Sequence, residues 1–378
     1  MTATTYIADW FDAALAEYHS LHHEPSRATP LRIGVEVTNA CNLNCVMCNT
    51  KLAKRRAGLI DVSLFETIVD EVAAAGVGSV ELYTVGEPFL HPKLDRLVAI
   101  AYDHGLNVYL STNAQFPLRV QSLYERFEAP APYLFLSIDG ATKETYERIR
   151  RGARFERALE TLEVVHALNQ KRATRIPASI RSILSSSNIG EISLFFRRYA
   201  KYFGPRDINF QLINGISPDT SYFIEAIPFE HLVHRKVPCH MPFRNAYFTF
   251  DGKVTLCARD YDGDLIVGDV RAESFTKIWN GQNAEAVREK HRRPETMDIP
   301  ACLSCLDTYR LARTISNEYI HHHVACRPTA PSDELAADLT DLLKGVDAAL
   351  GNHDVDGLRV FVQTAFDEIN RLGVGGAL

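Results

Sequence analysis

No stretch of the 378 residues reaches the roughly 18 consecutive apolar positions of a membrane-spanning helix. The first thirty residues lack a basic start followed by an apolar block, so no secretory signal is read there. Positive charge is not in surplus: 41 Lys and Arg stand against 47 Asp and Glu, a formal charge of −6. A protein living on a nucleic-acid backbone would carry a basic excess or stripe, so nucleic acid is not expected as a partner. Hydrophobic residues at 46% and charged residues at 23% are ordinary, which excludes disorder as the main theme. The expected setting is a reducing cytoplasm. Eight cysteines there serve as metal ligands or in catalysis rather than as disulfides. Cysteine is absent from 49 to 238. Cys41, Cys45 and Cys48 precede that gap; Cys239, Cys257, Cys302, Cys305 and Cys326 follow it.

The gap is filled by a regular texture. Short apolar or β-branched segments at Leu31–Val37, Ser79–Tyr83, Asn107–Ser111, Tyr133–Ile138, Ile176–Ile183 and Ile208–Ile213 read as parallel strands covered on both faces. Amphipathic segments lie between them: Ser63–Ala75, His91–His104, Pro117–Phe127, Phe155–Asn169 and Ile189–Phe203. Ser63 with Glu66 suggests a helix cap, and Gly76, Gly105 and Gly204 suggest left-handed helix ends. Six strand–helix units imply an α/β parallel sheet or barrel, with active loops at the C-terminal strand ends. A helix-like patch, Tyr6–His19, precedes them. Beyond Ile216, Tyr247–Phe250 and Lys253–Cys257 read as a hairpin closed on Asp251-Gly252. A helix over Ser274–His291 and two closing helices, Ser332–Leu350 and Asp356–Leu372, follow.

Cys41, Cys45 and Cys48 lie within eight residues, just after the first strand. One short loop can aim three thiolates at a single centre and leave a fourth position open for chemistry, whereas structural zinc sites are closed. This C-x3-C-x2-C loop resembles the cluster motif of the radical S-adenosylmethionine (SAM) superfamily, with Met47 in a place often held by an aromatic residue. The resemblance spans about residues 31–215 and implies a partial (β/α)6 TIM-like barrel. Tyr83-Thr-Val-Gly86-Glu87-Pro88 is similar to the superfamily's segment for the methionyl amino group, with Val85 replacing a glycine. Ser111-Thr112-Asn113 resembles the polar cluster near the ribose, and Ser137-Ile138-Asp139-Gly140 a segment facing the same cavity. By resemblance, Met47, Gly86, Glu87, Ser111, Asn113, Ser137 and Asp139 are expected near SAM. The implied chemistry is one-electron cleavage of SAM to a 5′-deoxyadenosyl radical that takes a hydrogen atom from substrate, the cofactors carrying the reaction.

Cys239, Cys257, Cys302 and Cys305 form a second set, which the same ligands could close around zinc. Joined to Gly252-x4-Cys257 and to the helix bearing Phe275, Ile278 and Trp279, they resemble the SPASM/twitch modules that follow the barrel in many radical SAM enzymes. Only Cys326 lies beyond Cys305, so the shorter form with one auxiliary 4Fe–4S cluster is expected. The implied cofactors are SAM and two 4Fe–4S clusters, the second able to accept an electron. The spacing is most similar to that of the butirosin-pathway dehydrogenases of aminocyclitols. The expected organisation is a lead-in over 1–30, the barrel over 31–215, the module over 236–310 and a helical extension over 311–378. The leading expectation is an oxidoreductase that dehydrogenates a secondary alcohol of a sugar-like metabolite in antibiotic or other natural-product biosynthesis. Its partners would be a small-molecule substrate and a flavodoxin- or ferredoxin-type reductant. Peptide maturation is a rival, as is radical epimerisation with Cys326 as hydrogen donor. About 30 residues before the barrel are too few for a leader-binding winged helix of the kind many peptide-modifying members carry. Arg181, Tyr222, Glu225 and His240 are candidate proton acceptors by residue type. His321-His322-His323 reads as a polar patch, since neighbours on a helix or strand do not share a face. Lys51–Arg56 is a short basic run that could steer an anionic partner.

Overall fold

The computed structural model describes residues 27–212, 239–293, 296–303, 305, 310–327, 332–351 and 355–374. The Tyr6–His19 helix, Tyr222 and Glu225 lie outside the described residues.

Six strands run parallel in the order of the chain: β1 (Arg32–Val35), β2 (Ser79–Glu81), β3 (Asn107–Thr112), β4 (Tyr133–Ser137), β5 (Ala178–Leu184) and β6 (Ile208–Leu212). Between them stand α1 (Val62–Ala74), α2 (Leu94–Asp103), α3 (Pro117–Arg126), α4 (Lys143–Ile149), α5 (Phe155–Lys171) and α6 (Ile192–Tyr199). Alternation is clearest along β3, whereas β1 is buried from Ile33 to Val35. Val108 and Leu110 of β3, Leu134 and Leu136 of β4 and Ile180 of β5 enter one apolar core with Phe65, Leu97, Val120 and Leu162 of the helices. The opposite strand face is left to the interior of a curled sheet, as in a TIM-like barrel.

The second region is not a separate body. After α7 (Met241–Arg244), β7 (Asn245–Phe248) pairs in parallel with β1, Arg32 to Asn245 through Val35 to Phe248. The hairpin closes as its Asp-Gly pair predicts, with Gly252 at φ +86, and β8 (Lys253–Thr255) pairs antiparallel with β7. A strand not foreseen from the sequence, β9 (Ile266–Asp269), completes one nine-stranded sheet, β6-β5-β4-β3-β2-β1-β7-β8-β9.

Several local expectations need correction. The cap of α1 is Asp61, two residues before the expected Ser63, and its carboxylate accepts from Ser63 N at 2.8 Å. Gly204 has φ −67, so it is no left-handed cap. The single helix over 274–291 is two, α8 (Phe275–Trp279) and α9 (Gln282–Arg292), because the backbone leaves helical geometry at Gly281, where ψ is 167. After α10 (Pro300–Leu303), three long helices close the chain: α11 (Arg310–Cys326), α12 (Ser332–Gly351) and α13 (Val355–Val374). Of these, α11 was not foreseen. It packs on β6, with α12 reaching α6. Its histidines are no polar patch. His321 and His323 are buried, and the three rings face different neighbours: Ile208 O for His321, Phe366 for His322, Asp338 for His323.

Candidate active site and cluster sites

The first cysteine loop leaves β1 and is fastened at every stage. Its stem is zipped to 56–60: Thr38 Oγ1 donates to Gly58 O, Asn39 Nδ2 to Arg56 O and Gly58 N to Asn39 Oδ1. Around Cys45, Asn44 N and Val46 N donate to the carbonyls of Arg151 and Ile149, both at 2.9 Å, so the end of α4 lies along the loop. Below it, Arg150 is buried and pairs with the fully buried Asp139 at 2.7 Å. Burial pulls the Arg150 pKa down, but the charges of Asp139, Cys45 and Tyr146 outweigh it and hold it above its ordinary value. Burial pushes the Cys45 thiol up to about 12 and raises Cys41 as well. Loading soft-metal chemistry onto this loop therefore strips protons from buried thiols.

The ends of β2 and β3 meet the same loop. At Gly86, φ is +79 and an added Cβ would stand 2.4 Å from Thr38 O and 2.8 Å from Ala40 O. Only glycine lets the two segments approach this closely. Glu87 follows, with its N–H donating to Ala40 O at 2.9 Å. Its buried carboxylate accepts from Phe89 N (3.1 Å) and Thr112 Oγ1 (2.9 Å) on one oxygen and from Asn113 N (2.6 Å) on the other. Burial pushes this carboxyl up to about 7 against those hydrogen bonds. Asn113 in turn donates to Asn42 Oδ1 at 2.8 Å and reaches Cys41 Sγ at 3.9 Å. The structure thus gathers Gly86, Glu87 and Asn113 around Cys41.

Ser111 and Ser137 face each other across β3 and β4, Oγ to Oγ 3.5 Å, on the strand face that the helices do not cover. The same face carries stacked aromatics: Tyr109 on Tyr133 (5.7 Å), Tyr133 on Phe135 (4.7 Å) and Tyr83 edge-on to Phe135 (5.9 Å). The Arg181 guanidinium lies 3.1 Å from the centre of the Phe135 ring and reaches Tyr83 Oη at 3.4 Å. Asp139 is elsewhere, tied to Arg150 and to Ile183 N at 2.6 Å. Met47 is buried in the apolar core.

The second cysteine set sits across the extra strands. Cys257 follows β8, buried with Leu265, Ile299 and Ala301, and Cys302 and Cys305 pack against that group. Burial pushes Cys257 up to about 12, with the Cys305 charge adding to it. Cys239 stands two residues before α7. The loop after Cys257 is built on Asp260, which the sequence reading passed over. Its carboxylate accepts from Thr255 Oγ1, Gly263 N, Asp264 N and Leu265 N at 2.7–2.9 Å. This loop docks on the first one. Lys54 N donates to Asp262 Oδ1 (2.7 Å) and Arg55 Nε to Tyr261 O (2.8 Å). Arg55 also forms a two-pronged pair with Glu36 at the end of β1. The basic run is thus in part a structural clamp. Among the described residues no three Cys, His, Asp or Glu side chains converge as for a single metal ion.

Two family models match: the radical SAM superfamily over residues 35–179 and the SPASM iron–sulfur cluster-binding domain over 239–306, together more than half of the chain. The chain carries a radical SAM domain and a SPASM domain. It is a radical SAM superfamily enzyme, and its cofactors are SAM and two 4Fe–4S clusters. The donor sets fit: three thiols in one loop beside Gly86 and Asn113, Cys45 buried and Cys41 and Cys48 half-buried, and a second group in which Cys302 and Cys305 pack against Cys257. In sequence it is 31% identical over 210 residues to the AdoMet-dependent heme synthase of Methanosarcina barkeri, covering 54% of this chain and 57% of that protein. The mycofactocin maturase MftC of Mycobacterium tuberculosis is 29% identical, over 46% of this chain and 42% of that protein. The chain therefore spans about half the length of these curated relatives. In fold it is similar to anSMEcpe with bound AdoMet (TM-score 0.55, 13% identity, covering 86% of this chain and 99% of that one). No helix among the described residues is long and apolar enough to cross a membrane. Cys326 ends α11, in the helical layer, with Sγ 3.7 Å from His322 Nε2.

Proposed function

We propose that this enzyme dehydrogenates a secondary alcohol of a sugar-like or aminocyclitol metabolite in natural-product biosynthesis. The observation that carries the reading is the division of cysteines on one sheet: three in an open loop after β1, and a separate set across β7–β9. With its cofactors bound, the first site supplies a radical that takes the carbinol hydrogen and the second an acceptor for the remaining electron.

The chain's own work is to hold SAM and the alcohol and to take the hydroxyl proton. Gly86, Asn113, Ser111 and Ser137, near the ends of β2, β3 and β4, are the residues that would hold SAM. Glu87 supports that arrangement by bracing Phe89, Thr112 and Asn113. Substrate would lie against the uncovered face, where Tyr83, Ser111 and Ser137 offer hydroxyls and Tyr109, Tyr133 and Phe135 offer flat apolar faces. Arg181 contributes a guanidinium fork, which is a donor and not an acceptor. That leaves His240, beside Cys239, as the described candidate for proton acceptor. A flavodoxin- or ferredoxin-type reductant would supply the priming electron.

The test is anaerobic turnover of reconstituted enzyme with SAM, dithionite and aminocyclitols deuterated at the carbinol carbon. The expected result is deuterium in 5′-deoxyadenosine, with an equal amount of ketone. A second reading is peptide maturation; one relative in sequence is named a maturase. If deoxyadenosine forms only when peptides are supplied, that reading replaces the first. If it forms with neither at full cluster occupancy, both fall.

A further inference from the structure

The strand face that the helices leave uncovered carries a row of polar side chains across three neighbouring strands. Ser137 of β4 is in register with Arg181 of β5, and Arg181 with Asn209 of β6; all three are half-buried. The guanidinium is held 3.1 Å from the centre of the Phe135 ring. It donates to Tyr83 Oη at 3.4 Å, so the phenol accepts there and keeps its own O–H to give. Acids on the adjoining strands are already answered: Asp139, just past β4, by Arg150 at 2.7 Å, and Glu81 of β2 by Arg32 at 2.9 Å. Among the described residues no carboxylate pairs with the Arg181 guanidinium. A positive group drawn partly out of water is costly without a partner, and a guanidinium fork matches a carboxylate or phosphate two-pronged.

We propose that Arg181, with Tyr83, Ser137 and Asn209 beside it, forms a subsite for an anionic group of the substrate, a carboxylate or a phosphate. The proposal rests on the reading of this face as the substrate's seat and narrows it: an acidic sugar fits, whereas the ammonium of an aminocyclitol would meet a like charge. Arg181 supplies two parallel N–H donors to two oxygens of the anion. Tyr83 O–H, Ser137 O–H and the Asn209 amide supply further donors around it. Phe135 holds the fork in place while leaving its N–H groups free. SAM also carries a carboxylate, so the same chemistry has two possible sources, and the experiment separates them.

The experiment is anaerobic titration calorimetry on the reconstituted holoenzyme with SAM bound. The probes are D-glucuronate, D-glucose 6-phosphate and D-glucose. At least one acidic probe should bind wild type about tenfold or more tighter than glucose, the effect of one charge-assisted hydrogen bond. Arg181→Gln should abolish that advantage and leave the affinity for SAM, titrated separately, unchanged. Three results would overturn the proposal: acidic probes that bind wild type no tighter than glucose or not at all, R181Q that weakens SAM instead, or R181Q that weakens acids and glucose alike. The second would assign the fork to the SAM carboxylate, and the third would leave Arg181 only a packing role on Phe135. If R181Q fails to hold its iron, Tyr83→Phe and Asn209→Ala decide: weakening confined to the acidic probes supports the subsite, and its absence in both overturns it. Dehydrogenation is read apart from binding. Acid-selective binding without ketone leaves the subsite standing and removes the dehydrogenase reading; ketone from glucose as readily as from the acids does the reverse.

Discussion

Glu87 carries three donors on two buried oxygens, two of them backbone N–H groups on different oxygens. Replacing it with Gln turns one oxygen into a donor that must face Phe89 N or Asn113 N. One buried N–H is then left without an acceptor, at a cost of about 1–3 kcal/mol. E87Q should therefore lower the melting temperature of the protein before SAM is added, which calorimetry reads directly. Arg150 offers a sharper case. Arg150→Met strands Asp139 in the interior, and losing one partner of a buried pair costs about 3–5 kcal/mol. Replacing both, R150M with D139L, should recover much of that loss in the same melt. The cysteines, Gly86, Glu87 and Asn113 were legible in the sequence because they lie in short runs at strand ends, where spacing alone indicates the chemistry. Arg150, Asp260 and Tyr261 were not. Their partners lie far away in the chain, and a lone Tyr or Asp in a loop has no pattern to betray it.

Strands β1–β6 and helices α1–α3 and α5 were readable because their apolar positions keep a steady period. Helix α4 is only seven residues long, too short for a period to stand out, and β9 at four residues is shorter still. Helix α11 was hidden by its run of three histidines, which read as polar although two are buried. Of these, His323 has a pKa pushed down to about 4, chiefly by burial and also by Arg327. Unfolded, it titrates near its ordinary value of about 6.5. The unfolded chain thus takes up a proton between those values while the folded helix does not. Stability is fully present above pH 6.5 and drains away as pH falls toward 4, by up to about 3 kcal/mol from this group. Urea melts of His323→Leu should show a shallower decline across that window than wild type. His321, also held down mainly by burial, contributes in the same direction and keeps the decline from vanishing.

At the scale of the molecule, the expected partial barrel is there, and the second module continues its sheet. The texture changes after Ile216, yet β1 has β2 on one edge and β7 on the other. A change of residue usage marks where a new kind of element begins, not which strand that element will pair with. Sharing β1 makes the two cluster-bearing regions one folding unit. Thermal unfolding of the reconstituted protein should give one transition, with far-ultraviolet dichroism and the visible iron–sulfur absorbance lost together. Two resolved transitions would show that the shared strand does not couple them.

The far edge of the sheet carries its own consequence. At β6, Phe210 N donates to Asn317 Oδ1 at 2.8 Å, Asn317 Nδ2 returns a hydrogen bond to Phe210 O, and one turn along α11 His321 Nε2 donates to Ile208 O at 2.7 Å. A carboxamide here does what a neighbouring peptide unit would do, so the last strand is answered by side chains instead of another strand. Take α11 away and Ile-Asn-Phe-Gln-Leu becomes a bare rim of apolar and amide side chains with open backbone groups, the kind of edge on which chains stack into aggregates. The C-terminal helices thus guard the solubility of the barrel, a duty separate from any part in its chemistry.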